Sequence, residues 1–289
     1  MATLNAFRIV DKQQEAADQL HMMHLDPDKY RPLITNIPGF VLPNPNIPSV
    51  NFIGGQFKAY KSTLIADFMY TYALAGYSSL LAVKEENALG VAKRTLSRGT
   101  RIGPDDQKNM VSRNSMRNIS MSKDDFIAVD ATIAEAEGIP LYLTDDCANI
   151  KDIYDAAVKN DVKVIGIDYF TLFEITSKKA RSPREMYVEM SHFMVATKQS
   201  GMTWVVAYQV SEETNRSKET RVVYDDADAA WQLSRVKDAV TDEIDPHKIM
   251  MESIAARDGA AGKWELYVDG QYNLVRGVPQ APASGGFTI

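Results

Sequence analysis

The segment Gly55-Gln56-Phe57-Lys58-Ala59-Tyr60-Lys61-Ser62-Thr63 contains residue types suited to holding phosphate. In the spacing G-x-x-x-x-G-K-[ST], a turn of backbone N–H groups faces the phosphates, the lysine reaches the outer ones and the hydroxyl takes a magnesium ion. Gly55, Lys61 and Ser62 hold their places in that spacing. A short apolar run, Val50-Asn-Phe-Ile, precedes the turn, and a stretch rich in alanine, leucine and aromatics follows it. The loop would therefore open a helix whose positive end adds to the attraction. Tyr60 stands where the second glycine belongs. Glycine there permits an unusual backbone angle and close approach of the chain. A tyrosine must adopt that conformation at some cost or relax the loop. Taken alone, the spacing fits equally a glycine turn followed by a helix with a lysine in its first turn.

Three further positions could complete a nucleoside triphosphate site. Val164-Ile-Gly-Ile-Asp168 is an apolar run ending in an aspartate, which in phosphate-loop proteins holds magnesium together with the loop hydroxyl. An aspartate that merely caps the loop after a strand would look the same. Leu80-Leu-Ala-Val runs into Lys84-Glu85-Glu86, and a carboxylate at that place can orient and deprotonate an attacking water. The two glutamates are adjacent and so point differently; Glu85 is the favoured one. Gln209 follows Trp204-Val-Val-Ala-Tyr, where a side-chain amide can sense the γ-phosphate or simply end a strand. Taken with Lys61 and Ser62, these residues point to ATP and Mg2+ as ligands, with Ser62 and Asp168 on the metal.

Composition limits the alternatives. One cysteine, Cys147, rules out an internal disulfide and fits a reducing cytoplasm. With four histidines it gives no zinc spacing, and His21-Met-Met-His24 reads as a solvated helix face. No run approaches the roughly 18–20 apolar residues of a membrane span, and the first residues lack the pattern of a secretory signal. A formal net charge of −6 argues against a surface that grips nucleic acid everywhere. Contact with DNA would have to come from local basic segments. Thr176-Ser-Lys178-Lys179-Ala-Arg181 and Asn215-Arg216-Ser-Lys218-Glu-Thr-Arg221 are two such segments, and each also reads as a solvated charged loop.

Positioning these groups requires strands alternating with helices. Residues 11–25 read as a polar helix with a narrow apolar stripe, and residues 26–50, with six prolines, as a loop-rich stretch. Strands are expected at 50–53, 79–83, 141–143, 162–168 and 203–207, and helices at 61–77, across much of 88–137, at 150–160 and at 183–199. Such alternation predicts an α/β fold with a mostly parallel sheet covered on both faces. Strands near 249–254 and 264–268, flanking Asp258-Gly259, predict a C-terminal β-hairpin. The expected organisation is an N-terminal arm (1–32), one ATPase-type domain (33–276) and a low-complexity tail (277–289).

In this order the motifs resemble the RecA-like ATPase core of the DnaB-type replicative helicases, including phage versions, over roughly residues 33–276. Ile167-Asp168-Tyr-Phe-Thr-Leu is the most specific piece, since the family's second acidic motif typically reads Ile-Asp-Tyr-Leu-Gln-Leu. Leu141-Tyr-Leu-Thr-Asp-Asp resembles the strand leading to that motif, and Asp226–Val240 the segment after the glutamine motif. Ala256-Arg257-Asp258-Gly259-Ala-Ala-Gly262 resembles the family's Asn-Arg-Asn-Gly-Pro-Thr-Gly turn. The resemblance implies that Arg257 is an arginine finger reaching the γ-phosphate of the next subunit. It also implies DNA-facing loops at the two basic segments and a linker-like helix at 11–25. The implied partners are single-stranded DNA, further copies in a hexamer-like ring, and primase, polymerase or single-strand-binding protein, in a bacterial host cytoplasm for a phage version. The chain departs from the family at Ala255, where a basic residue is usual, and at Tyr60, although phage recombinases of the RecA class also carry an aromatic in the loop. A filament-forming recombinase and a nucleotide-binding loader or scaffold without turnover are the competing readings.

Overall fold

The apolar runs expected to be strands do pair. The computed structural model describes residues 9–99, 111–118, 120–147, 149–175, 182–210, 225–237, 241, 243–257, 261–270, 272 and 274–277. The chain begins with helices α1 (Ile9–Leu25) and α2 (Pro27–Tyr30) and a two-stranded antiparallel ribbon, β1 (Leu33–Ile34) and β2 (Val41–Leu42). There follow β3 (Val50–Gly55), α3 (Lys61–Leu74), β4 (Ser79–Val83), α4 (Ala88–Gly99), α5 (Arg113–Asn118), α6 (Lys123–Ala136), β5 (Leu141–Thr144) and α7 (Ile150–Lys159). Next come β6 (Val164–Asp168), a 3-10 turn (Phe170–Leu172), α8 (Pro183–Lys198), β7 (Thr203–Gln209) and β8 (Ala229–Lys237). The chain ends in β9 (Ile244–Ala256), β10 (Lys263–Asp269) and β11 (Leu274–Gly277).

Nine of these strands form one sheet in the order β11-β10-β9-β8-β3-β7-β6-β4-β5. From β8 to β5 neighbouring strands are parallel, whereas β9, β10 and β11 are added antiparallel. Parallel strands covered on both faces must be apolar throughout, and every residue of β3, β4 and β6 is indeed buried. On one face α3 packs Leu64, Ile65, Phe68, Met69 and Tyr72 against the sheet, and Phe40 wedges between Phe68, Trp231 and Trp264. The other face buries Ile150 and Ile153 of α7 and Met190 and Met194 of α8 around Trp204, Phe52 and Phe170. The expected C-terminal hairpin is present as β9–β10, and β8 and β11 flank it. Among the described residues no helix is long and apolar enough to cross a membrane.

Candidate nucleotide site

All parallel strands point their carboxyl ends to one edge of the sheet, and the loop residues gather there. Gly55 ends β3 between Gln209 of β7 and Leu233 of β8. Gly54 leaves room for the buried Tyr208 ring: an added Cβ would lie 2.1 Å from the Tyr208 hydroxyl oxygen, so any other residue there must displace that side chain. The chain then turns through Gln56, the half-exposed Phe57, Lys58 and the buried Ala59 into α3, where Thr63 is buried in the first turn. Lys58 and Tyr60 both have left-handed backbones, with φ of 59° and 60°.

Tyr60 has therefore taken the glycine-type conformation rather than relaxing the loop. That conformation costs a non-glycine residue about 1–2 kcal/mol. Offsetting contacts hold it in place. The Tyr60 hydroxyl donates to the carbonyl of Pro246 in β9 at 3.1 Å, and its ring packs on the core beside Gly270. Arg235 of β8 donates to the carbonyl of Phe57 at 3.0 Å, bracing the other side of the loop. Tyr60 provides no side-chain cap to α3, and the N-terminal turn of a helix is where an anionic ligand is favoured. The strain can be isolated by comparing Tyr60→Ala with Tyr60→Gly, since both lose the ring and hydroxyl but only alanine keeps a strained Cβ. In denaturant titrations the glycine variant is expected to be the more stable by about 1 kcal/mol; an alanine variant of equal stability would show that position 60 relaxes once the tyrosine is gone.

Lys61 folds back under the loop, donating to the carbonyls of Gly55 at 2.9 Å and Gln56 at 2.7 Å. Burial lowers its pKa to about 8 against the pull of the Asp168 and Glu85 carboxylates. The Ser62 hydroxyl donates to Asp168 Oδ1 at 3.0 Å. Burial raises the Asp168 pKa, the Ser62 hydrogen bond and the charges of Arg94 and Lys61 lower it, and Glu85 adds to the rise. A hydroxyl and a carboxylate in contact form an all-oxygen donor pair. That suits Mg2+, which fills its remaining positions with phosphate and water. The lysine sets a pH dependence. In the free protein about half of Lys61 is neutral at pH 8, and a bound triphosphate favours the ammonium form, so binding must take up protons there. Calorimetry in buffers of different ionisation enthalpy should find uptake of about half a proton at pH 8, falling toward zero near pH 7, with affinity weakening as pH rises through 8.

Lys61, Ser62, Glu85, Asp168 and Gln209 line one cleft of about 770 Å³. Arg94 of α4, Arg235, and Ile244, Asp245, Pro246 and Lys248 of β9 complete its walls. No local motif announced these wall residues, because Arg235 and the β9 residues reach the cleft from far along the chain. The one readable hint was an arginine nine residues after Glu85 on the helix that follows it.

Arg257 lies elsewhere. Ala256 pairs with Ala229 at the start of β8, whereas Arg235, six residues further along β8, touches the phosphate loop. At about 3.3 Å per residue, Arg257 is some 20 Å from its own loop, at the opposite edge of the sheet. Its backbone N–H donates to the carbonyl of Asp228 at 2.8 Å, and its guanidinium to that of Asp225. Ala255 is partly buried against the core. The candidate DNA-contacting residues Lys178, Lys179, Arg181, Arg216, Lys218 and Arg221 lie outside the described residues.

No protein-family profile and no curated protein matches the sequence. Solved structures do match the fold. The ATPase domain of a phage helicase superposes with a TM-score of 0.75 at 13% identity, covering 92% of this chain and 98% of that one. A DnaB-like replicative helicase, solved to show its interactions with primase, gives 0.72 at 13% identity, covering 91% of this chain and 66% of that one. The KaiC-like protein PH0186 from the archaeon Pyrococcus horikoshii OT3 gives 0.58 at 15% identity, covering 86% of this chain and 100% of that one. The fold is thus that of RecA-like helicase ATPase domains.

Proposed function

We propose that this chain hydrolyses ATP with Mg2+ and, as a ring of copies, moves along single-stranded DNA in replication. The observation that supports this most directly is the division of residues between the two edges of the sheet. Lys61, Ser62, Glu85, Asp168 and Gln209 share one cleft, whereas Arg257 sits about 20 Å away, where it could serve only a neighbouring copy. In this reading the loop N–H groups and Lys61 bind the β- and γ-phosphates, and Ser62 and Asp168 hold the magnesium ion, which when bound neutralises phosphate charge. Glu85 takes a proton from the attacking water, and Gln209 senses the γ-phosphate.

Exposed apolar side chains on two helices fit association between copies. Leu20, Met22 and Leu25 project from α1, and Phe126, Ile127 and Ile133 from α6. A ring would also bring several sets of the basic segments 176–181 and 215–221 to one strand, which reconciles DNA contact with an acidic chain. Primase is a candidate partner because the similar DnaB-like helicase interacts with it. The test is phosphate release measured with and without single-stranded DNA, combined with electron micrographs of the protein on DNA with ATP. DNA-stimulated turnover by closed rings is the expected result. Filaments would indicate a recombinase, and stable ATP binding with no phosphate release under either condition would end the motor reading.

A further inference from the structure

Two glutamates follow β4, and the structure treats them differently. Both line the cleft, but Glu85 is exposed there, while Glu86 is half-buried and paired with Arg94 Nη2 at 2.7 Å. Arg94 is nearly buried, two turns along α4, and also lines the cleft. To reach it, the Glu86 carboxylate lies across the first turn of the helix. Gly90 makes the room: a Cβ there would fall 2.5 Å from Glu86 Oε1. A glycine inside a helix costs about 1 kcal/mol relative to alanine, and the passage of Glu86 accounts for its presence. The helix is itself anchored, because Arg98, one turn beyond Arg94, is ion-paired with the buried Asp67 of α3 and lies over the ring of Tyr70. Arg94 is thus held at a set position relative to the phosphate-loop helix, and through Glu86 it pins the turn at residues 84–87.

We propose that Arg94 is a positioning residue for hydrolysis: by holding Glu86 against α4 it directs the adjacent Glu85 into the cleft, toward the place of the attacking water. This rests on the ATPase reading above and on Glu85 as the proton acceptor. It gives the second glutamate and the helix glycine one joint task, and it explains a buried arginine that need not touch the nucleotide.

The experiment compares wild type with Arg94→Ala, Arg94→Lys, Gly90→Ala and the double variant Arg94→Ala/Glu86→Gln, measuring kcat, KM and the Kd of a fluorescent ATP analogue. Arg94→Ala and Gly90→Ala should lower kcat by about 10- to 100-fold, in the range of a misplaced general base, with Kd within about threefold of wild type. Arg94→Lys should recover part of the loss. The double variant should be no slower than Arg94→Ala, because both changes break one contact. Gly90→Ala removes no charge and improves helix propensity, and denaturant titration of each variant separates any loss of folding from the loss of kcat. A Kd weakened by the same factor as kcat/KM would overturn the proposal in favour of direct phosphate binding by Arg94. Unchanged kcat in a hydrolysing protein would overturn it alone. Absence of turnover in the wild type would instead remove the ATPase reading and this proposal with it.

Discussion

Replacing Lys61 with methionine is expected to lower ATP turnover by at least about 10²–10³-fold while leaving the protein as stable as before, or more so. The two halves of this expectation come from one geometry. The Lys61 amine is almost buried and donates to two backbone carbonyls of its own loop. Its pKa near 8 shows that desolvation outweighs the help of Asp168 and Glu85. The protein is therefore holding a cation where folding alone does not favour one. Methionine fills nearly the same space without the charge; the Gly55 carbonyl keeps the hydrogen bond it accepts from the Val210 N–H at 3.1 Å, and Gln56 is only half-buried, so neither carbonyl is stranded in an apolar interior. What is lost is the positive group facing developing negative charge on the outer phosphates, which is needed only when nucleotide is bound. Phosphate release and denaturant titration on the same preparations would check both halves. Turnover equal to wild type would mean that the loop is not the catalytic phosphate site, and a large loss of stability would mean that Lys61 is chiefly structural.

That the loop was legible at all despite Tyr60 says something about which signals are local. Gly55, Lys61, Ser62, Asp168, Glu85 and Gln209 all sit at, or just beyond, the carboxyl ends of buried strands. A fully apolar run followed by a polar residue marks such an end without any knowledge of neighbours. The parallel sheet was legible for the same reason. β8 was harder, because Ala229-Ala-Trp-Gln-Leu-Ser-Arg-Val-Lys mixes buried Trp231 and Leu233 with half-buried polar residues. Neither period dominates in it, and its partner β3 lies far back in the sequence. The braces on the loop were not legible. The hydrogen bonds Tyr60–Pro246 and Arg235–Phe57 join residues 186 and 178 apart, and only the antiparallel addition of β9 beside β8 brings Pro246 to the cleft. The missing glycine looked like damage in the sequence. In the fold, the tyrosine that replaced it keeps the backbone angle and adds a tie to β9.

β9 also leads to the second large effect. The strand begins beside the cleft at Ile244 and ends at Ala256, just before Arg257, at the far edge of the sheet. Its length separates Arg257 from the loop of its own chain by about 20 Å, which no side chain can span. If Arg257 acts in hydrolysis, it must do so across a subunit boundary. Arg257→Ala should then cost about 10³-fold or more in turnover, as loss of an arginine finger does, with ATP binding to isolated subunits little changed. A loss of rate alone would not prove action in trans, because the guanidinium also holds the Asp225 carbonyl within its own chain. Mixing two inactive variants supplies the proof. In a head-to-tail ring, a chain with Arg257→Ala still offers an intact loop, and a chain with Lys61→Met still offers an intact arginine. Random assembly of equal amounts places the two intact halves together at roughly a quarter of the junctions. Turnover by the mixture well above that of either variant alone is the expected result. If Arg257 acted within its own chain, or only supported the fold, every junction would remain defective, and the mixture would be as inactive as its components.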